Sequence, residues 1–158
     1  MEDKFRKVLF EYHSPVLNKT VKETMWAIEI DQTAGIYQLD SIPFYGAPIA
    51  TSDEFRAIFD KTERILVFES LVKPSGNSIV LIIVTKDNYD KEELRQTFRA
   101  LQCDSEGLNE RYFSMEVPKE VDYALVKNKL DGYQFDEIIN YAEPCLSQKH
   151  KDDIQNLN

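Results

Sequence analysis

The apolar residues of this chain keep two rhythms. Up to residue 77 they alternate with polar ones in short runs, the period of strands with one buried face. Lys4 to Tyr12 alternates weakly and reads as an opening strand, broken by Pro15 within Ser14 to Lys19. Glu23 to Ile30 is clearer, with Trp26, Ile28 and Ile30 on one face and Met25, Ala27 and Glu29 on the other. Asp31 to Gly35 has the make-up of a hairpin loop, with Gly35 supplying positive φ. Ile36 to Ile42 follows, with Tyr37 and Leu39 inward and Gln38 and Asp40 outward. Pro43 to Ala50 is an apolar loop, because its two prolines and one glycine suit neither a helix interior nor a central strand. Glu54 to Asp60 places Phe55, Ala57 and Phe59 inward, and Ile65 to Val72 is the next strand.

Ser78 to Thr85 is the most apolar run. Its residues Ile79 to Val84 are all apolar, and turn-type clusters at Pro74–Asn77 and Lys86–Asn88 bound it. A run so short and so β-branched predicts a strand buried on both faces, central and shared by both halves of the molecule. It is far below the ~20 residues that span a membrane. Six short strands to this point predict a small meander sheet or a partly closed barrel.

The period then lengthens. Asp90 and Glu93 stand at the two positions of a capping box, and Leu94, Phe98 and Leu101 recur at helical spacing. Cys103 to Asn109 reads as an acidic turn. Arg111 to Val117 reads as a strand, with Tyr112, Ser114 and Glu116 opposing Phe113, Met115 and Val117, and ends at Pro118. Asp122 caps a second helix whose Tyr123, Val126 and Leu130 share a face, closed by Gly132 in the C′ position. Phe135 to Tyr141 reads as a final strand or a short helix, with strand favoured. The predicted fold is α+β: a mostly antiparallel meander joined through the central strand to a ferredoxin-like β-α-β-α-β half. The predicted organisation is one compact domain over 1–146, with a β-rich lobe 1–77 and an α/β lobe 78–146. Residues 147–158 are expected to be a frayed polar tail.

Charge narrows the function classes. Net charge is −9, and the second half is the more acidic: residues 78–158 hold 10 Lys+Arg against 16 Asp+Glu, residues 1–77 hold 9 against 12. Nucleic-acid binding needs a concentrated positive surface and is disfavoured. A basic protein partner is compatible with the charge. No membrane partner is expected, because no apolar run spans a bilayer. Only Val8 to Phe10 are apolar before Glu11, which is no signal peptide, so the expected location is cytoplasmic.

Candidate chemistry is sparse. Cys103 and Cys145 lack metal-site spacing and read as reduced packing residues, and no metal or cofactor is called. Ser75 to Ser78 lacks the context of a nucleophile elbow or phosphate loop and reads as a hairpin turn. His150 sits between Lys149 and Lys151 and reads as solvated; His13 has no acid partner or nucleophile in sequence. No residue is assigned a catalytic role. Asp104, Glu106 and Glu110 lack the calcium-loop pattern and read as a solvated acidic turn, or as a docking face for a basic protein. Phe44 and Tyr45 either fold back over the open end of the sheet or form an apolar docking loop.

Five short motifs recur in a recognisable order. They are Thr24 to Ala27; Tyr37, Leu39, Asp40, Ile42, Pro43 and Phe44; Ser75 to Ser78; Gly107 to Asn109; and Val117, Pro118, Val121, Asp122 and Tyr123. Their succession, over about residues 20–146, resembles the bacterial family known as domain of unknown function 4265. The family's turn carries His where this chain has Asn77. The resemblance implies a small bacterial protein and transfers no catalytic residue. Size, acidity and the missing reactive constellation favour a non-enzymatic protein-binding domain, in concrete form an immunity-type inhibitor of a toxin. The alternative is a small-molecule binder or an enzyme of unrecognised type, using the sheet mouth near Trp26 and Phe44.

Overall fold

A computed structural model describes residues 4–155. The alternating first half forms β1 (Phe5–Ser14), β2 (Lys19–Asp31), β3 (Ile36–Leu39), β4 (Glu54–Asp60) and β5 (Ile65–Lys73). These five strands close into a barrel in chain order, each antiparallel to the next. An odd number of up-and-down strands leaves the first and last running the same way, so β1 closes on β5 in parallel. Val8, Phe10, Met25, Ala27, Tyr37, Leu39, Phe55 and Ala57 fill the interior. Phe10 meets Phe55 edge-on at 5.3 Å and stacks on Phe68 at 5.1 Å. Gly35 takes φ of +70°, as the hairpin loop between β2 and β3 demands.

Of the two faces of β2, the one carrying Trp26, Ile28 and Ile30 points outward, while Met25 and Ala27 fill the barrel. Two features of this half differ from the sequence reading. Phe59 is exposed, because it pairs with Leu66 beside the tight turn at 61–64, where the β4–β5 ribbon outruns the packed interior. Ser75 to Ser78 is not a hairpin turn: β5 and β6 lie in different sheets, and Gly76, at φ +93°, turns the chain from one lobe to the other.

The second half forms β6 (Ser78–Val84), α1 (Lys91–Arg99), β7 (Ser105–Gly107), β8 (Tyr112–Val117), α2 (Tyr123–Phe135), β9 (Ile139–Cys145) and α3 (Gln148–Ile154). The sheet order is β7-β8-β6-β9 with every pair antiparallel, the ferredoxin-like arrangement. β6 is central, and the two lobes share it by packing rather than by pairing. Val80, Ile82 and Val84 face Leu94, Phe98, Val126 and Leu130 of the helices. Ile79 and Leu81 face Ala50, from the β3–β4 connection of the barrel. That division explains why β6 is apolar at consecutive positions. Among the described residues no helix is long and apolar enough to cross a membrane.

Local signals misplace four features here. The acidic turn contains β7, a three-residue strand too short to show a period. α2 runs past Gly132 to Phe135. Its end is a Schellman motif in which Ile138 N–H reaches Tyr133 C=O and Glu137 N–H reaches Gln134 C=O. Glu137 holds the left-handed C′ position at φ +60°, so the residue expected to be glycine is a glutamate. The final strand therefore starts at Ile139, not Phe135. Finally, the tail is no frayed end: Ser147 caps α3 through a bond from His150 N–H, and His150 is fully buried. Residues 156–158 of that predicted tail lie outside the described residues.

Candidate functional site

The connection between β3 and β4, residues 40–53, builds the junction between the lobes. Ala47 and Ile49 plug the barrel, while Ala50 packs on the sheet. Its carbonyls are tied to both sides: Ser14 of β1 donates to Tyr45 C=O, and Tyr112 and Ser114 of β8 donate to Phe44 and Pro43 C=O. The buried Glu23 carboxylate accepts from Tyr12 O–H at 2.6 Å and from Phe44 N–H at 2.9 Å. Burial first, and the neighbouring Glu23 next, push the Tyr12 and Tyr112 hydroxyls above their ordinary range. These tyrosines are held as neutral donors, a structural role rather than a proton-transfer one.

A second knot joins the lobes at the family's turn. Asn77 Nδ2 donates to Thr51 C=O at 3.0 Å, and its Oδ1 accepts from Lys119 N–H at 3.0 Å. Thr51 Oγ1 donates to Glu116 at 2.7 Å, and the buried Asp53 accepts from Ala50 and Ser75 N–H. Beside it opens a polar cleft of about 230 Å³ lined by Asp40, Ser41, Thr51, Glu106 and Glu116. Among the described residues no three potential metal-ligating side chains converge.

A serine hydroxyl meets a histidine ring at a buried contact. Ser78 Oγ lies 2.6 Å from His150 Nδ1, and His150 Nε2 lies 3.0 Å from Pro118 C=O. A carbonyl only accepts, so Nε2 carries the proton and Ser78 donates to Nδ1. Both side chains are fully buried, so the pair fastens α3 to the start of β6 and offers no nucleophile to solvent. Burial first holds the imidazole below its usual range. Cys103 and Cys145 are free thiols, and burial pushes them up to about 12 and about 11, so neither is a thiolate nucleophile at neutral pH.

The residues singled out from sequence separate in space. Asp104 leans toward Arg99 at 3.8 Å, Glu106 faces the polar cleft, and Glu110 lies on the exposed β7–β8 connection. Lys91, Arg95 and Arg99, spaced four apart along α1, tie the turn down: Lys91 Nζ bonds Asn109 C=O and Arg95 bonds Ser105 twice. That i, i+4, i+8 row of cations was legible in the sequence and marks the helix face that covers the acidic segment. Phe44 and Tyr45 are half-buried between the lobes, so the loop folds back rather than standing free. Trp26 projects from the outer barrel wall and Phe44 sits in the junction, so the two line no common mouth.

The outer wall carries the surface that the sequence reading did not single out. Trp26, Ile28 and Ile30 stand in one row along β2, and Phe5 of β1 pairs directly with Ile28. Trp26 is 48% exposed, Ile30 49% and Phe5 43%. Lys7 caps the row, its Nζ 5.2 Å from the Trp26 ring centre. The signal was the alternation itself, a second apolar face on a strand whose other face already fills the barrel.

No curated protein matches the chain. Among solved structures it resembles one described as a novel crystal structure of a hypothetical protein from Neisseria gonorrhoeae, with a TM-score of 0.78. The two chains are 22% identical over 93% of this chain and 99% of that one, a likeness that shows the fold alone. The family model described as domain of unknown function (DUF4265) matches residues 23–141, most of both lobes and the whole junction, and the chain belongs to that family.

Proposed function

We propose that this protein is a non-enzymatic binding domain for another protein, most concretely an immunity-type inhibitor of a basic toxin. The observation that supports this reading is the apolar row Phe5, Trp26, Ile28 and Ile30 on the outer barrel wall. Water-exposed apolar area gains about 25 cal/mol per Å² when covered, and tryptophan is enriched among the residues that dominate interfaces. The net charge of −9 is compatible with a cationic partner.

The test begins with a photo-crosslinking residue at position 30 in living cells, to identify the partner. The purified pair then decides. Trp26→Ala should weaken the complex by at least ~30-fold, the effect of losing a hot spot worth about 2 kcal/mol. An unchanged Kd for Trp26→Ala would remove the barrel wall from the interface.

A further inference from the structure

We propose that the outer edge of β9 receives an extended segment of a partner protein, a strand whose side chains alternate basic and aliphatic. The inference stands on the sheet edge and not on the barrel wall, so either can fail alone.

A closed barrel has no edge to offer. The four-stranded sheet has two, and β7 is one of them. It is three residues long and lies under α1: a Cβ on Gly107 would sit 2.7 Å from Lys91 Nζ, and Arg95 bonds Ser105. β9, seven residues long, is the other. Thr85 N–H donates to Ile138 C=O, which sets the phase of the β6–β9 ladder. With Ile83 opposite Asn140 and Leu81 opposite Ala142, those two pairs carry the hydrogen bonds. The N–H and C=O of Tyr141 therefore point away from β6, with Ile139 in the same phase. Among the described residues no turn, loop or side-chain bond reaches the outward backbone groups of Tyr141. At Glu143 and Pro144 the strand bulges before pairing resumes at Cys145, and Pro144 has no N–H to offer.

The two faces beside this edge differ, and they select the occupant. Tyr141 and Glu143 face α2, where Tyr141 donates to Asp131, and Lys127 Nζ bonds Tyr141 Oη at 3.0 Å and Glu143 at 3.1 Å. Phe135 lies four residues past Asp131 on the same helical stripe and is 88% exposed, the most exposed large apolar residue described. Along this flank the carboxylates are Asp131 and Glu143, and Glu143 also accepts from Tyr123 O–H. Asn140 and Ala142 face the other way, onto an apolar cleft of about 150 Å³ with Val16, Leu81, Ile83 and Tyr112. That volume suits one aliphatic side chain and falls short of the ~300–1,000 Å³ of a small-molecule site.

Residues directly opposite across a ladder share a face. A strand added to β9 places alternate side chains over the carboxylates and the Phe135 ring, where Lys or Arg fits. The intervening ones lie over the apolar cleft, where Val or Leu fits. This is strand addition, in which main-chain bonds give affinity and alternate side chains give selectivity. A second copy fits less well: antiparallel pairing about Tyr141 would bring the Asp131 and Glu143 flanks of the two copies together.

The test uses the full chain and the synthetic peptide acetyl-Lys-Val-Lys-Val-Lys-Val-Lys-amide. In antiparallel addition the residue opposite Tyr141 is a lysine, whose N–H bonds Tyr141 C=O. Amide NMR should show shifts at Tyr141 and Glu143 and hydrogen exchange at Tyr141 slowed by at least ~10-fold at saturation. N-methylation of the lysines should abolish both effects, and N-methylation of the valines should leave both. Three results would overturn the proposal: no response in β9, equal responses to all three peptides (charge attraction without strand pairing), or a dimer joined through β9 in sedimentation.

Discussion

Replacing Ser78 by Ala removes one hydroxyl that satisfies two buried groups. Its oxygen accepts Ser147 N–H at 2.8 Å, and its proton goes to His150 Nδ1 at 2.6 Å. Alanine fills nearly the same volume, so the cost comes from the donor and acceptor left behind rather than from a cavity. Each buried unsatisfied group costs about 1–3 kcal/mol, so Ser78→Ala should lose about 2–5 kcal/mol. At ~2–4 °C per kcal/mol for a chain of this size, Tm should fall by about 5–15 °C. The same site makes stability depend on pH. Burial, reinforced by Lys149 and opposed by Asp153 and by backbone carbonyls at Pro118 and Val121, holds folded His150 below the 6.5 of the unfolded chain. The Tyr123 ring, 5.5 Å away on α2, packs against the imidazole without adding charge. As pH falls below about 6.5 the unfolded state takes up the proton first, so the stability His150 contributes is full above 6.5 and is lost as pH falls through the folded value. His150→Gln keeps a donor and an acceptor but does not titrate, so it should remove this component of the slope. Urea titrations at pH 7.5 and at half-unit steps down to 5 measure both effects. A Ser78→Ala loss under ~0.5 kcal/mol, or a His150→Gln slope equal to wild type, would refute the buried-pair account.

Phe98, fully buried between α1 and the sheet, should cost about 3–5 kcal/mol on substitution by Ala, read from the urea midpoint. The two lobes should unfold together: Trp26 is the single tryptophan and reports the barrel, all three described helices belong to the other lobe, and fluorescence and 222 nm dichroism should give coincident urea transitions. Separated transitions would mean that the junction does not couple the lobes. Glu137→Gly should raise stability by about 1 kcal/mol, because glycine adopts the C′ conformation at φ +60° without the steric cost that glutamate bears. A loss on that substitution would place Glu137 in a stabilising contact of its own.

Period carried most of the fold. The strands at 23–30, 54–60 and 65–72 and the capped helices at Asp90 and Asp122 follow from residues a few positions apart, and the structure contains each of them; the strand predicted over 36–42 is shorter, ending at Leu39 where the junction begins. What failed depends on partners far apart in sequence. His150 looks solvated between two lysines, yet it is buried because Ser78, 72 residues earlier, supplies its acceptor's proton. Gly132 looks like a helix stop, yet the C′ position of the Schellman motif that ends α2 is Glu137, five residues later. Alternation puts Trp26 and Met25 on opposite faces of β2 but does not say which face is buried; packing inside the barrel gives the interior to Met25 and Ala27. β7 is defined by pairing with β8, and three residues cannot show that alone. The junction was legible only as an apolar loop; that its carbonyls would be claimed by Ser14, Tyr112 and Ser114 is long-range information.

Charge alone selects no surface, and α1 shows why. Asp104, Glu106 and Glu110 are close in sequence, but Lys91, Arg95 and Arg99 lie along the same segment and offset its field at short range. An ion pair as exposed as Asp104–Arg99 contributes little stability, yet a partner approaching that turn meets both signs. At physiological ionic strength fields fade over about 8 Å, so local composition decides, not the total of −9. The flank of β9 differs in this respect: Asp131 and Glu143 stand there with Lys127, which is already bonded to Glu143 and Tyr141. Desolvation would lower the Lys127 ammonium, but bonds from Tyr141 and Glu143 outweigh it and hold it charged. An incoming cation therefore meets Asp131, whose carboxylate accepts from the neutral Tyr141 hydroxyl, beside the outward backbone groups of Tyr141. Attraction and strand pairing act on the same few residues there, and the lysine-methylated and valine-methylated peptides separate the two contributions.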